Sequence, residues 1–117
     1  MQNNQPISGE RKLQATFVAV YPDLFDLKNP IPFKIGIFED IIARHPDVSP
    51  KLLRRMLRWL TLRRPYLIAC SEGAIRHGLE GPCDRVTSSH ATYCRRKFER
   101  RNATAKDKWP ELVQAAQ

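Results

Sequence analysis

The segment SPKLLRRMLRWLTLRR, residues 49–64, decides the fold because its apolar and charged side chains separate by helical angle. At about 100° per residue, one arc collects the apolar residues Leu52, Leu53, Met56, Leu57, Trp59 and Leu60. The opposite arc carries Lys51, Arg54, Arg55 and Arg58, and the segment has six Lys or Arg and no acid. Neighbouring like charges on a helix repel by about 0.2–0.5 kcal/mol per pair. We therefore expect one face to pack and interpret the other as a surface for a polyanion.

The whole chain shares this basic character. It has 117 residues, with 20 Lys or Arg against 12 Asp or Glu and a net charge of +8. Such an excess favours nucleic acid or another anionic surface as the partner. No run approaches the roughly 20 apolar residues of a membrane span, and the start MQNNQPISGE lacks the features of a signal peptide. We expect no membrane association.

The length fits one domain with one core. We expect a monomer with a flexible tail over residues 1–10, a folded domain over 11–101 and a loosely attached segment over 102–117. Cys70, Cys83 and Cys94 are odd in number and lack close spacing, which indicates reduced thiols in a cytoplasmic protein.

Local signals predict the remaining elements. A first helix spans about Arg11 to Val20, and a second covers residues 33–45, where Lys34 shares an arc with apolar residues that include Ile35. A lysine at a helix start opposes the macrodipole, so Lys34 is either a functional residue or a side chain that snorkels past the core. Ser49 and Pro50 suit the start of the basic helix.

Beyond residue 64, the sequence predicts a hairpin and a last helix. PYLIAC (65–70) and AIRHGL (74–79) have strand character around the turn SEGA, and GPCD (81–84) reads as another turn. Thr87, Ser88 or Ser89 caps a helix that ends near Arg101. Its apolar face holds Ala91, Cys94 and Phe98, and its cations, Arg95, Arg96, Lys97 and Arg100, form a second basic surface. The fold class is α+β: a compact, mostly helical single domain with a short β-hairpin before the last main helix.

Catalytic and metal motifs are not apparent. There is no glycine-rich phosphate loop, paired-carboxylate motif or nucleophile elbow, so we expect no enzyme and no cofactor. His77, Cys83, His90 and Cys94 suggest zinc, but they lack a tight cysteine pair, and we expect no metal.

Tyr66 follows Arg63 and Arg64 at the end of the basic helix. An aromatic side chain beside arginines can stack on bases or bond phosphate oxygens. Its hydroxyl is expected to emerge beside the cationic face, and the alternative is a core tyrosine.

Several motifs in fixed order resemble the FinO/ProQ family of RNA chaperones over about Leu13 to Arg101. They are KIGIF, then LR-x-x-LR-x-x-T, a tyrosine five residues later, and G-x-x-R. By position, the resemblance assigns RNA binding to Lys34, Arg54, Arg58, Thr61, Tyr66 and Arg76. This chain has Pro50, Pro65 and His77-Gly78 where the family often has a lysine, an arginine and Val-Asp. Lys51, Arg55, Arg63 and Arg64 are candidate replacements for the missing charges.

The resemblance implies a near-minimal RNA chaperone domain that grips terminator-like stem-loops and their single-stranded 3′ tails. Its expected partners are small RNAs and mRNA 3′ ends, in post-transcriptional regulation. Two other interpretations stay open. The second helix, the PDVS turn and the basic helix also fit a helix-turn-helix DNA-binding regulator. Charge alone also permits a basic adaptor associated with ribosomes or proteins.

Overall fold

The computed structural model describes residues 9–101, which form five helices and a two-stranded sheet. The elements are α1 (Gly9–Val20), α2 (Ile37–Arg44), α3 (Pro50–Thr61), α4 (Arg64–Ala69), β1 (Ile75–Gly78), β2 (Gly81–Arg85) and α5 (Ser88–Arg101). The strands are antiparallel, with Ile75 opposite Arg85 and Gly78 opposite Gly81. This confirms the α+β class with a hairpin before the last helix. Residues 1–8 of the predicted tail and all of the predicted segment 102–117 lie outside the described residues.

Helix α3 packs against both α1 and α2. Its start is fixed locally, because the Ser49 hydroxyl accepts a hydrogen bond from the backbone N–H of Leu52 at 3.3 Å and Pro50 occupies the first turn. Leu53, Met56 and Leu60 are buried, and Leu57 is partly buried beside them. The predicted division of this helix into an apolar and a cationic face is confirmed.

All five helices contribute to one hydrophobic core. Its buried side chains include Phe17 of α1, Ile41 of α2, Leu53 of α3, Leu67 of α4 and Phe98 of α5. The predicted burial of Cys94 and Phe98 on α5 is confirmed. The Thr87 hydroxyl accepts the backbone N–H of His90 at 3.2 Å, which identifies Thr87 as the cap of this helix.

The predicted start of α2 at residue 33 is wrong. Phe33 forms a parallel bridge with His77 of β1, and the backbone N–H of Lys34 donates to the His77 carbonyl at 2.9 Å. Gly36 then turns the chain with a φ of 92°, a left-handed conformation that glycine adopts readily, before α2 begins at Ile37. Lys34 therefore lies beside the hairpin, and Ile35 is 73% exposed.

The predicted hairpin strands are also displaced. Residues 64–69 form α4, because Pro65 suits a first helical turn and Tyr66 and Leu67 pack into the core. The two strands surround a turn at residues 79–80, so the predicted turn GPCD lies within β2. A short apolar run such as PYLIA is compatible with a strand or a buried helix, and the tertiary contacts decide.

Candidate nucleic-acid interface

Four cations form the exposed face of α3: Lys51, Arg54, Arg55 and Arg58. They come together because residues three or four apart share one side of a helix. Arg55 pairs with Glu10 of α1 at 3.2 Å, and the Arg54 guanidinium lies 4.5 Å from the ring centroid of Phe38. Among the described residues, Lys51 and Arg58 form no ion pair. This surface, called the α3 basic face below, keeps most of its charge available to an anion.

The three predicted residues at and just after the end of α3 have contacts within the protein. Arg63 donates from Nη1 to the Leu27 carbonyl at 3.1 Å, and Arg64 lies 5.6 Å from the Phe98 ring centroid. The Thr61 hydroxyl donates to the Arg58 carbonyl at 3.3 Å. Arg63 thus anchors the loop that follows α1, whereas Arg64 remains exposed and borders the basic end of α5.

Lys34 lies in a cleft of about 500 Å³ between α2 and the hairpin. Its Nζ donates to Asp40 Oδ2 at 2.6 Å, and this hydrogen bond raises the pKa of Lys34. A second ion pair, Arg44 with Glu80 at 2.6 Å, lies in the same cleft. A Cβ atom on Gly78 would lie 3.0 Å from Lys34 Cδ, so the absence of a side chain there makes room for the lysine. The cleft therefore holds an ammonium group and a carboxylate that are paired and both partly exposed.

Tyr66 is only 5% exposed, and its hydroxyl does not emerge beside the α3 basic face. The hydroxyl accepts a hydrogen bond from the backbone N–H of Phe33 at 3.1 Å. Burial raises the pKa of Tyr66. In this conformation the side chain positions the segment that carries Lys34.

Arg76 is 1% exposed, which a charged side chain rarely is without a partner. Its Nη2 lies 3.0 Å from Nδ1 of His90, and its Nε lies 3.9 Å from Asp84 Oδ1. Nε and Nη1 have no hydrogen-bond partner among the described residues. Burial, followed by the charge of Arg76, lowers the pKa of His90. His90 is therefore neutral near pH 7 and accepts from the guanidinium.

The predicted residues thus fall into three groups. One is the α3 basic face, and a second is Thr61, Arg63 and Arg64 at and after the end of α3. The third lies along the Phe33–His77 bridge, where Lys34 follows Phe33, Arg76 precedes His77 and Tyr66 bonds to Phe33. Sequence reasoning missed two partners, Asp40 and His90. Asp40 follows Lys34 by six residues across a turn, and His90 is fourteen residues from Arg76, so helical periodicity signals neither contact.

The zinc hypothesis gains no support from the described residues. In residues 9–101, no group of three or more His, Cys, Asp and Glu is placed to hold a metal ion. The Cys83 thiol donates to the Arg76 carbonyl at 3.3 Å, and Cys94 is buried in the core. Within the same range, every helix falls short of the length and apolar content that a membrane span requires.

Comparison with known proteins identifies the family. The model of the ProQ/FINO family matches residues 10–110. The chain belongs to the ProQ/FinO family. A curated member, RNA chaperone ProQ of Alteromonas mediterranea, is 30% identical over 113 residues, covering 92% of this chain and 51% of that protein. The chain thus spans about half the length of this relative.

Two solved structures share the ProQ/FinO fold. A ProQ homologue from Legionella pneumophila superposes with a TM-score of 0.70 at 24% identity, covering 86% of this chain and 89% of that one. A FinO-like RNA chaperone from Neisseria meningitidis gives a TM-score of 0.59 at 24% identity, with 76% of each chain covered. At this level of identity, the likeness concerns the fold alone.

Proposed function

We propose that the chain binds structured RNA as an RNA chaperone and that the α3 basic face is its main contact surface. The observation that carries this proposal is the exposure of Lys51, Arg54, Arg55 and Arg58 on one side of α3, with Glu10 as their ion-pair partner among the described residues. Membership of the ProQ/FinO family and the relative in Alteromonas, which is named an RNA chaperone, support it. Family membership does not support the helix-turn-helix interpretation.

A helical surface of arginines suits A-form RNA on physical grounds. The deep major groove of an RNA duplex hides the base edges, so proteins recognise its shape, phosphates and 2′-hydroxyls. Arg54, Arg55 and Arg58 present planar guanidinium groups, which bind phosphate oxygens in a bidentate manner. Contacts of this kind neutralise phosphates with little dependence on base sequence.

The finer part of the proposal concerns the RNA end. We infer that a terminator-like stem-loop lies on the α3 basic face and that its single-stranded 3′ tail reaches the cleft at Lys34. In the free protein the ammonium group of Lys34 is hydrogen-bonded to the Asp40 carboxylate. When RNA binds, a terminal phosphate or ribose oxygen would replace this carboxylate. Tyr66 and Arg76 then act indirectly, because they hold the segment at Phe33 and the hairpin on either side of Lys34. Small RNAs and mRNA 3′ ends are the proposed partners, in post-transcriptional regulation by a cytoplasmic monomer, with residues 11–101 as the RNA-binding domain.

A competition assay tests this function. A labelled stem-loop with a 3′ tail is bound to the full chain and competed with the unlabelled RNA, with its blunt form or with a DNA duplex of the same stem sequence. We expect the tailed RNA to compete best and the DNA worst. Equal competition by the DNA duplex would contradict RNA recognition, and equal competition by the blunt RNA would contradict the role of the tail alone.

A further inference from the structure

Helix α5 carries a second surface that the proposed stem-loop site does not use. Tyr93 is 54% exposed, so a large part of this aromatic side chain is open to solvent. Side chains on the same side of the helix recur at spacings of three and four residues, and together they form what we call the α5 stripe: His90, Tyr93, Arg96, Lys97 and Arg100. The buried residues of this helix, Cys94 and Phe98, lie outside the stripe.

The charges on this helix are not arranged for stability. Arg96 and Arg100 are four residues apart and repel each other, and the one acid of α5, Glu99, pairs with Arg95 at 3.1 Å outside the stripe. The helix dipole favours cations in the last turn, which accounts for Arg100. It does not account for Arg96 or Lys97, nor for an exposed aromatic ring among them.

Two stripe residues lie beside the ring of Tyr93. His90 stacks on it with a centroid separation of 6.3 Å and an interplanar angle of 25°, and Lys97 Nζ lies 5.4 Å from the ring centroid. An exposed ring that is already oriented loses less entropy when a ligand stacks on it. The adjacent ammonium and guanidinium groups would contact the phosphates that flank the stacked group.

We propose that the α5 stripe binds unpaired RNA, with a base stacked on Tyr93 and the backbone along Arg96, Lys97 and Arg100. An aromatic platform beside a row of cations is how proteins bind single strands without reading their sequence. A duplex offers no free base face, so the stripe discriminates in favour of unpaired segments. This inference rests on the proposed RNA-binding function and adds a second site to it.

The test uses the full chain and two probes: a blunt stem closed by a compact UUCG tetraloop, which leaves few free base faces, and a stemless RNA of A and C only, which cannot pair with itself. Base stacking on an aromatic side chain contributes about 1–3 kcal/mol, which corresponds to a loss of about fivefold or more in affinity. We expect this loss for Tyr93→Ala with the A/C RNA and no change with the stem-loop. Tyr93→Phe keeps the ring and should bind like the wild type. Arg100→Ala should weaken A/C binding more than Arg95→Ala, which removes an equal charge outside the stripe.

Several outcomes separate this inference from the proposed function. Wild-type affinity of Tyr93→Ala for the A/C RNA would overturn the stripe, and it is also the result expected if the stripe contacts an acidic protein. Loss in Tyr93→Phe equal to that in Tyr93→Ala would overturn stacking. Failure of the wild type to bind the stem-loop would overturn the proposed function, whatever the A/C RNA does. Circular dichroism of each variant verifies that α5 remains folded.

Discussion

Nη2 of Arg76 lies 3.0 Å from Nδ1 of His90, so a buried guanidinium on β1 is bound to a neutral imidazole on α5. The contact joins the hairpin to the last helix. It requires an unprotonated Nδ1, because a protonated nitrogen has no lone pair with which to accept.

This geometry predicts a pH dependence of stability. Burial and the charge of Arg76 lower the pKa of His90 below its usual 6.5 in the folded state. The unfolded chain therefore takes up the proton first as the pH falls, and the stabilisation present above pH 6.5 is lost progressively through the folded pKa. Urea unfolding at several pH values measures this loss. His90→Asn keeps a hydrogen-bond acceptor but has no titrating group. If the pH profile of stability is unchanged in this variant, the pH dependence does not come from His90.

The two faces of α3 should respond differently to truncation. Arg58→Ala removes an exposed charge and should change the free energy of unfolding by no more than about 0.5 kcal/mol while weakening stem-loop binding. Leu53→Ala, at a fully buried position, should destabilise by about 2–5 kcal/mol and reduce binding only as the folded fraction falls. Melting curves and gel shifts measure both effects. Wild-type binding by Arg58→Ala would remove the α3 basic face from the proposed site.

Salt should weaken stem-loop binding steeply. Each neutralised phosphate contributes about −0.7 to −0.9 to the slope of log K against log salt, so several contacts on the α3 basic face give a slope of several units. Fluorescence anisotropy titrations at a series of salt concentrations yield this slope. Arg58→Ala should make the slope shallower by about 0.7–0.9, the contribution of one phosphate contact. An unchanged slope would mean that Arg58 contacts no phosphate.

The ion pair of Lys34 with Asp40 predicts a gain of function. Asp40→Asn removes the carboxylate that competes with RNA for the ammonium group, so affinity for the tailed stem-loop should rise while that for the blunt one stays constant. Lys34→Ala should reduce affinity for the tailed RNA alone. Glu80→Gln, which changes the other ion pair of the same cleft, is the matched control. A gain of equal size with the blunt RNA would indicate a general charge effect.

The hydroxyl of Tyr66 should act mainly on stability. Tyr66→Phe leaves the buried N–H of Phe33 without its acceptor, which should cost about 1–3 kcal/mol in the free energy of unfolding. Chemical denaturation of the wild type and the variant measures the difference. Unchanged stability together with weaker RNA binding would show that the hydroxyl contacts RNA directly.

The sequence predicted α3 well because its information is local. Periodicity separated Leu53 from Arg54, and a serine followed by proline located the start of the helix. The helical conformation of Tyr66 could not be predicted, since a short apolar run has no period that distinguishes a strand from a helix. The burial of Arg76 involves a contact with His90 of α5, a helix that is distant in sequence from β1 and packs against α4. Local patterns thus identified the exposed basic surface, while the buried partners depended on tertiary contacts.

The bridge between Phe33 and His77 fixes the backbone of Lys34 from one side. The backbone N–H of Lys34 donates to the His77 carbonyl at 2.9 Å, and the Lys34 carbonyl accepts from the backbone N–H of Ile37 at 3.1 Å. Lys34 is thus tied to β1 and to the first residue of α2, the helix that carries Asp40. The ammonium group can therefore leave its carboxylate by rotation of the two side chains alone, with the backbone of both elements in place.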